Sequence, residues 1–254
     1  MNNISLLLLT KNESENLKEW GSWIYKLKMV NEIIAIDDES TDNTVKILNS
    51  LDSPELSVSV FFKKLNNNFS EQRNFGLTKC KNNWILSLDA DEIPTEKTIN
   101  YINKLSLEKG NNYTFKRNIV YLGRTISHGQ CLNDLPIKLF NKDEGKFIQP
   151  VHEIWDSSAG TIDTNQIILH YSIKSLSDFL QKINFYSSIR AQELLDQKHR
   201  PHLWEIILYP KFKFLELYFL RLGFLDGTAG IIFCLAISFN SFLVRSKLWH
   251  LSQK

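Results

Sequence analysis

Three carboxylates fall within four positions of the stretch "LSLDADEIP": Asp89, Asp91 and Glu92. Such a group repels itself, so solvent, the N-terminal turn of a helix or a bound cation has to offset it. A D-x-D just beyond a buried strand sets two carboxylates on one side of an extended turn, a spacing suited to holding Mg2+ or Mn2+ through oxygen. A divalent ion there can neutralise a diphosphate leaving group. The plainer reading is that Asp91 or Glu92 favours the start of the next helix. A second acidic stretch, "IIAIDDESTDNT", ends a strand in Asp37 and Asp38 and turns towards a helix. It could offer a carboxylate to a uracil or ribose and backbone amides to an anion, or simply cap the helix through Thr41 and Asp42. In "QPVHEIW", His152 precedes Glu153. Either side chain could act as a general base, Glu153 being the first candidate; His152 is an alternative base or a metal ligand. His170, in "ILHYS" near a strand end, is a further candidate, whereas Arg117, after a strand, could contact donor or acceptor but reads first as a solvated cation.

The elements that must position these residues alternate in type. Strands are expected at Ile4–Leu9, Glu32–Ile36, Leu56–Phe61 and Trp84–Leu88, and helices at Asn16–Lys28, Thr41–Leu51 and Ser70–Cys80. This βαβαβαβ order implies an α/β domain with a mainly parallel sheet, whose ligands bind beyond the carboxyl ends of the strands. The polar clusters "TKNE", "DDESTD", "KKLNNN" and "DADE" all follow strands, so one crevice could collect them. A helix from Thr95 to about Leu107 leads into a strand-rich stretch from Tyr113 to Tyr171. Ser175 then opens an amphipathic helix, with Asp178 placed as in a capping box.

The 254 residues suffice for a large core, and a net charge of +2 conceals an asymmetry. Residues 1–173 carry 19 Lys/Arg against 22 Asp/Glu, whereas residues 174–254 carry 11 against 6. The basic excess accompanies "GTAGIIFCLAISFNSFLV", Gly227–Val244, an uncharged run at the lower edge of membrane-spanning length. That run suits a helix lying against a membrane surface and equally suits a buried core helix. Nucleic acid is not indicated, because no pattern of stacking aromatics and phosphate contacts accompanies the basic residues. Cys80, Cys131 and Cys234 are far apart, which argues against a disulfide framework or structural zinc and fits a reducing compartment. The N-terminal apolar run lacks a basic flank and a cleavage site, so it reads as a strand rather than a signal peptide. Neither GxGxxG nor GxxxxGK[ST] occurs.

In their order, "LLLTKNESENL", "IAIDDESTDNT", "FSEQRNFGL", "LSLDADE", "QPVHE", "GFLDGTAG" and "KLW" resemble the family 2 glycosyltransferases, in particular small bacterial enzymes that build the lipopolysaccharide core or related surface glycans. The resemblance implies the GT-A fold, a Rossmann-like mixed sheet with helices on both faces. Residues 1–173 would form the catalytic domain, with a nucleotide-binding half over about 1–92 and an acceptor half over about 93–173. Residues 174–254 would form a helical, membrane-associated region. By position it implies that Thr10, Glu13 and Asp38 border the nucleoside and that Arg73 approaches the donor's phosphates or sugar. Asp89 and Asp91 would form the D-x-D, with Asp91 the direct contact to Mg2+ or Mn2+. The partners implied are a nucleotide sugar, expected to be a UDP-hexose, and a lipid-linked or core-oligosaccharide acceptor. The expected location is cytoplasmic, peripheral on the inner membrane. Two features depart from the pattern: Glu39 stands where glycine is common, and Gln197-x-x-Arg200 is followed by Pro201, which favours one sugar per acceptor over polymerisation. The alternatives are a nucleotidyltransferase, which would normally show a glycine-rich basic loop where "TKNESEN" stands, and an inactive membrane-docked scaffold, against which the retained acids argue.

Overall fold

The structure, a computed structural model, describes residues 3–121, 123–150 and 153–253. The elements are β1 (Ile4–Thr10), α1 (Ser14–Leu17), β2 (Val30–Asp37), α2 (Thr44–Ser50), β3 (Ser57–Phe62), α3 (Phe69–Lys79), β4 (Trp84–Asp89), β5 (Glu92–Pro94) and α4 (Glu96–Ile102). There follow β6 (Asn111–Tyr121), β7 (Arg124–Ile126), β8 (Ile137–Asn141), β9 (Gly145–Ile148), β10 (Ile154–Ser157), β11 (Gly160–His170), α5 (Leu176–Asp196), α6 (Leu203–Leu215) and α7 (Gly227–Ser252). The chain divides into two compact units, one of residues 1–117 and 135–170, the other of 118–134 and 171–254. Residues 118–134 thus group with 171–254 in the second unit.

In the first unit the strands run in the order β3-β2-β1-β4-β8-β6-β11-β5. β1 to β4 are mutually parallel, and β8 joins β4 antiparallel. The central strands are apolar on both faces because both faces are covered. Leu6 and Leu8 of β1 pack with Trp20, Leu86 and Ile99 on one side, whereas Leu7 packs with Ile36, Ile85 and Leu77 of α3 on the other. Helix α3 approaches the sheet so closely that a Cβ on Gly76 would lie 2.4 Å from Leu7 Cδ1 and 3.0 Å from Ile36 Cγ1.

Two expected helices differ. Over Asn16–Lys28 the chain forms only α1 and two 3-10 turns, Trp20–Ser22 and Ile24–Lys26. The spacing of Trp20, Trp23, Ile24 and Leu27 suits a helix, but the tighter turns let Trp20 Nε1 donate to the Ala90 carbonyl at 3.0 Å while its ring packs 4.9 Å from that of Trp23. Helix α4 stops at Ile102, short of Leu107, where the Asn103 amide bonds the Lys28 N–H and the Lys26 carbonyl, each at 2.7 Å.

In the second unit Ser175 caps α5 by accepting the Asp178 N–H at 3.1 Å, as its spacing predicts. Tyr121, Phe179 and Phe233 form an aromatic core with Ile183, Ala229 and Ala236. The glycines of "GFLDGTAG" serve packing: a Cβ on Gly230 would lie 2.2 Å from the Gly223 carbonyl oxygen. Asp226 in the same stretch accepts the Ser127 and His128 N–H groups and pairs with His128 Nδ1 at 2.8 Å. Helix α7 is long and apolar enough to cross a membrane by length and composition, yet Phe233, Ala236, Val244 and Leu248 are buried within the unit.

Candidate active site

The carboxyl ends of β1 and β2 carry the first group of candidate residues. Asp37 accepts from Thr10 Oγ1 at 3.0 Å and from the Ser40 N–H and hydroxyl at 2.7 and 2.6 Å, which ties the first two strand ends together. Asp38 pairs with Lys11 at 2.6 Å and accepts the Leu65 N–H at 2.9 Å. Burial opposes ionisation of Asp38, but these bonds outweigh it and hold its carboxyl below the ordinary carboxylate range. Glu13, just ahead of α1, donates its N–H to Thr44 Oγ1 at 2.7 Å and accepts from Asn16 at 2.6 Å. The turn between them has Glu39 at φ 55°, in the left-handed region that glycine favours. Its exposed carboxylate reaches Lys64 at 3.2 Å, so the side chain points outward.

The second group surrounds the end of β4. Arg73, on α3 and almost fully buried, donates from Nε to Glu153 at 2.7 Å, from one terminal nitrogen to Ser87 at 2.8 Å, and from the other to Asp89 at 2.6 Å. Its guanidinium also lies over the Phe147 ring. Lys138 of β8 reaches Glu92 Oε2 at 2.5 Å and Asp89 Oδ2 at 3.6 Å. Arg117 of β6 reaches the other Glu92 oxygen at 3.4 Å, and the Asp89 N–H donates to Glu92 at 3.0 Å. Asp91 faces His170 Nε2 at 3.3 Å, because β5 and β11 pair with Glu92 opposite His170. Burial would raise the Asp89 pKa, but Lys138 and Arg73 hold it well below the ordinary range; Asp89 and Glu153 in turn raise that of Arg73. Arg73, Ser87, Asp89, Arg117, Lys138, Phe147 and Glu153 line one cavity of about 370 Å3.

The repulsion among Asp89, Asp91 and Glu92 is thus offset largely by protein cations. Arg73, expected at the donor's phosphates, engages three side chains of its own chain. Asp89, expected as a metal ligand, is paired with Arg73 and Lys138. Asp91 and His170 are two donors of the kind a divalent cation accepts, and both are partly exposed. Such ions commonly take one or two side chains together with substrate phosphates, so this pair fits one. Among the described residues no group of three or more His, Cys, Asp or Glu could hold a metal unaided. His152 lies outside the described residues.

The model of Glycosyl transferase family 2 matches residues 5–129, a span that holds the strand-end motifs and Arg73, Asp89 and Asp91. That span belongs to this family. Over its full length the chain is 28% identical to an uncharacterized glycosyltransferase of Rickettsia typhi, across 89% of that relative. It is 23% identical to the lipopolysaccharide core biosynthesis glycosyltransferase LpsC of Rhizobium meliloti, across 97% of the chain and 92% of LpsC. A mannosyltransferase of Pyrobaculum calidifontis, solved with GDP-Man and Mn2+, aligns with a TM-score of 0.52 at 13% identity, over 94% of the chain and 73% of that structure. That likeness is one of fold, and the fold is GT-A.

Sequence reading missed Lys138, and for Arg117 it favoured a solvated cation, whereas the side chain is partly buried beside Glu92. The signal for Lys138 was a lysine within the apolar strand "LPIKLF", where a buried ammonium requires a carboxylate partner.

Proposed function

We propose that the enzyme is an inverting, metal-dependent hexosyltransferase that moves one sugar from a UDP-sugar to a hydroxyl of a lipopolysaccharide core or another surface glycan. The observation that carries this reading is the Arg73 bridge, in which one buried guanidinium holds Asp89 and Glu153 in the wall of a single cavity. Glu153 takes the acceptor hydroxyl's proton as that oxygen attacks the anomeric carbon, and the bond from that carbon to the diphosphate breaks, releasing UDP with the electron pair. Arg73 is a positioning residue, setting Glu153 relative to Asp89 on the donor side. Thr10, Glu13 and Asp38 border the nucleoside. A divalent cation, Mg2+ or Mn2+, would supply charge neutralisation for the diphosphate, with Asp91 and His170 as its protein ligands and His152 a further candidate from sequence. The likeness to LpsC, a protein named for lipopolysaccharide core biosynthesis, supports the acceptor class. Such an acceptor is lipid-anchored, and a peripheral position on the cytoplasmic face of the inner membrane would bring the enzyme to it.

Calorimetric titration with UDP, with and without Mn2+, tests the donor side. Binding that requires Mn2+ and disappears in Asp91→Ala supports the reading. Absence of binding in either condition overturns UDP as the nucleotide.

A further inference from the structure

Helix α6 is inside out for a protein surrounded by water. Its one buried side chain is Glu205, which pairs with His199 at 3.1 Å and accepts the His202 N–H at 3.2 Å, closing the N-terminal turn. Its large apolar side chains face outward instead: Leu203 is 73% exposed, Trp204 53% and Phe212 62%. The pattern continues beyond the helix through Phe219, Leu220 (79% exposed) and Leu225. A run of this extent on an amphipathic element marks an interaction surface rather than scattered surface hydrophobes.

We infer that residues 203–225 form the membrane-docking element, lying in the plane of an anionic phospholipid surface, while α7 serves as the internal helix of its unit. This deepens the membrane contact proposed above and does not depend on the donor assignment. Charge favours lipid as the occupant: residues 174–254 carry 11 Lys/Arg against 6 Asp/Glu, and within the run Lys211, Lys213 and Arg221 outnumber Glu205 and Glu216, of which Glu216 pairs with Lys213 and Arg221. Trp204 and Tyr209 supply the amphipathic rings that settle at headgroup depth. The thirteen residues of α6 rise only about 20 Å, too little to cross a hydrocarbon core of about 30 Å, and Pro210 and Lys211 interrupt its apolar character. Helix α7 is partly occupied within the unit: Ser238 donates to the Pro210 carbonyl, and the Arg245 guanidinium lies 3.7 Å over the Tyr209 ring.

The test is co-sedimentation of the full chain with extruded vesicles of phosphatidylcholine, with or without one quarter phosphatidylglycerol, at 0.15 M salt. Two exposed double substitutions are compared, Phe212→Glu with Leu220→Glu on the docking element and Leu235→Glu with Phe239→Glu on α7, and circular dichroism and thermal melts verify that each folds. The expected result is wild-type binding at least tenfold tighter to the anionic vesicles, a loss of at least tenfold in the first variant, and a change within twofold in the second. If the first variant binds as wild type while the second fails, this inference falls and the membrane contact survives. Failure of the wild-type protein on both vesicles overturns both. A lipid-independent dimer that the first variant dissolves, without vesicle binding, overturns lipid in favour of a second copy of the chain.

Discussion

Arg73 and Asp89, sixteen residues apart on α3 and at the end of β4, meet at 2.6 Å, and the same guanidinium holds Glu153, eighty residues further along the chain, at 2.7 Å. One cation thus joins α3 and the parallel strand β4 to the stretch just ahead of β10. Removing a partner from a pair buried this deeply leaves a charge uncompensated, at a cost of about 3 kcal/mol. Urea unfolding of Arg73→Met is expected to show that loss. Arg73→Lys is expected to recover only part of it, because an ammonium cannot reproduce the three-way geometry of the guanidinium. A fully stable Arg73→Met would remove the bridge from the account.

The Asp89 carboxyl is held below its ordinary range, which fixes the sign of a pH dependence. Above the unfolded value of about 3.9, the carboxylate is ionised in both states and its contribution is fully present. As pH falls below that value the unfolded chain takes up a proton that the folded chain refuses, so the contribution is lost as pH drops towards the folded pKa. The stability difference between wild type and Asp89→Asn is therefore expected to be constant above about pH 5 and to shrink below about pH 4. Denaturant titrations across that range measure it.

Glu153→Gln keeps the shape of the side chain and a hydrogen-bond acceptor for Arg73 while removing the proton acceptor. The transfer rate is expected to fall by about 10²–10⁴, with UDP affinity changed less than threefold. Equal losses in both would mean that Glu153 shapes the donor site rather than deprotonating the acceptor.

Glu39 adopts φ 55° without glycine's freedom. Glu39→Gly is expected to leave stability within about 0.5 kcal/mol, since relief of the left-handed backbone and the added chain entropy oppose each other. Glu39→Val, whose branched side chain fits that region poorly, is expected to lose about 1–2 kcal/mol. Thermal melts of the two variants decide whether the backbone or the Lys64 pair matters here.

Gly76 gives α3 its close approach to β1 and β2. Gly76→Ala inserts a methyl into packed side chains and is expected to cost about 1–3 kcal/mol despite alanine's better helix propensity. Because Arg73 lies one turn earlier on the same helix, a shift in α3 is also expected to lower transfer activity more than UDP binding. A stabilised Gly76→Ala would show that the neighbouring Leu7 and Ile36 can yield.

The sequence by itself determined the alternating α/β half and the strand-end motifs. Apolar periodicity and abrupt runs of acids are local properties, and burial on two faces imposes them residue by residue. It equally marked Asp38, Asp89, Asp91 and Glu153 as chemically capable, because carboxylates beyond buried strands are conspicuous. What offsets those charges only the tertiary structure decided. Lys138, Arg117 and His170 come from β8, β6 and β11, strands whose places in the sheet no spacing in the chain announces. The same holds for the C-terminal helices: hydropathy singled out α7, whereas packing buries a stripe of α7 and leaves the apolar side of α6 exposed. Composition tells how apolar a helix is, but which side chains leave water depends on the neighbours that cover them.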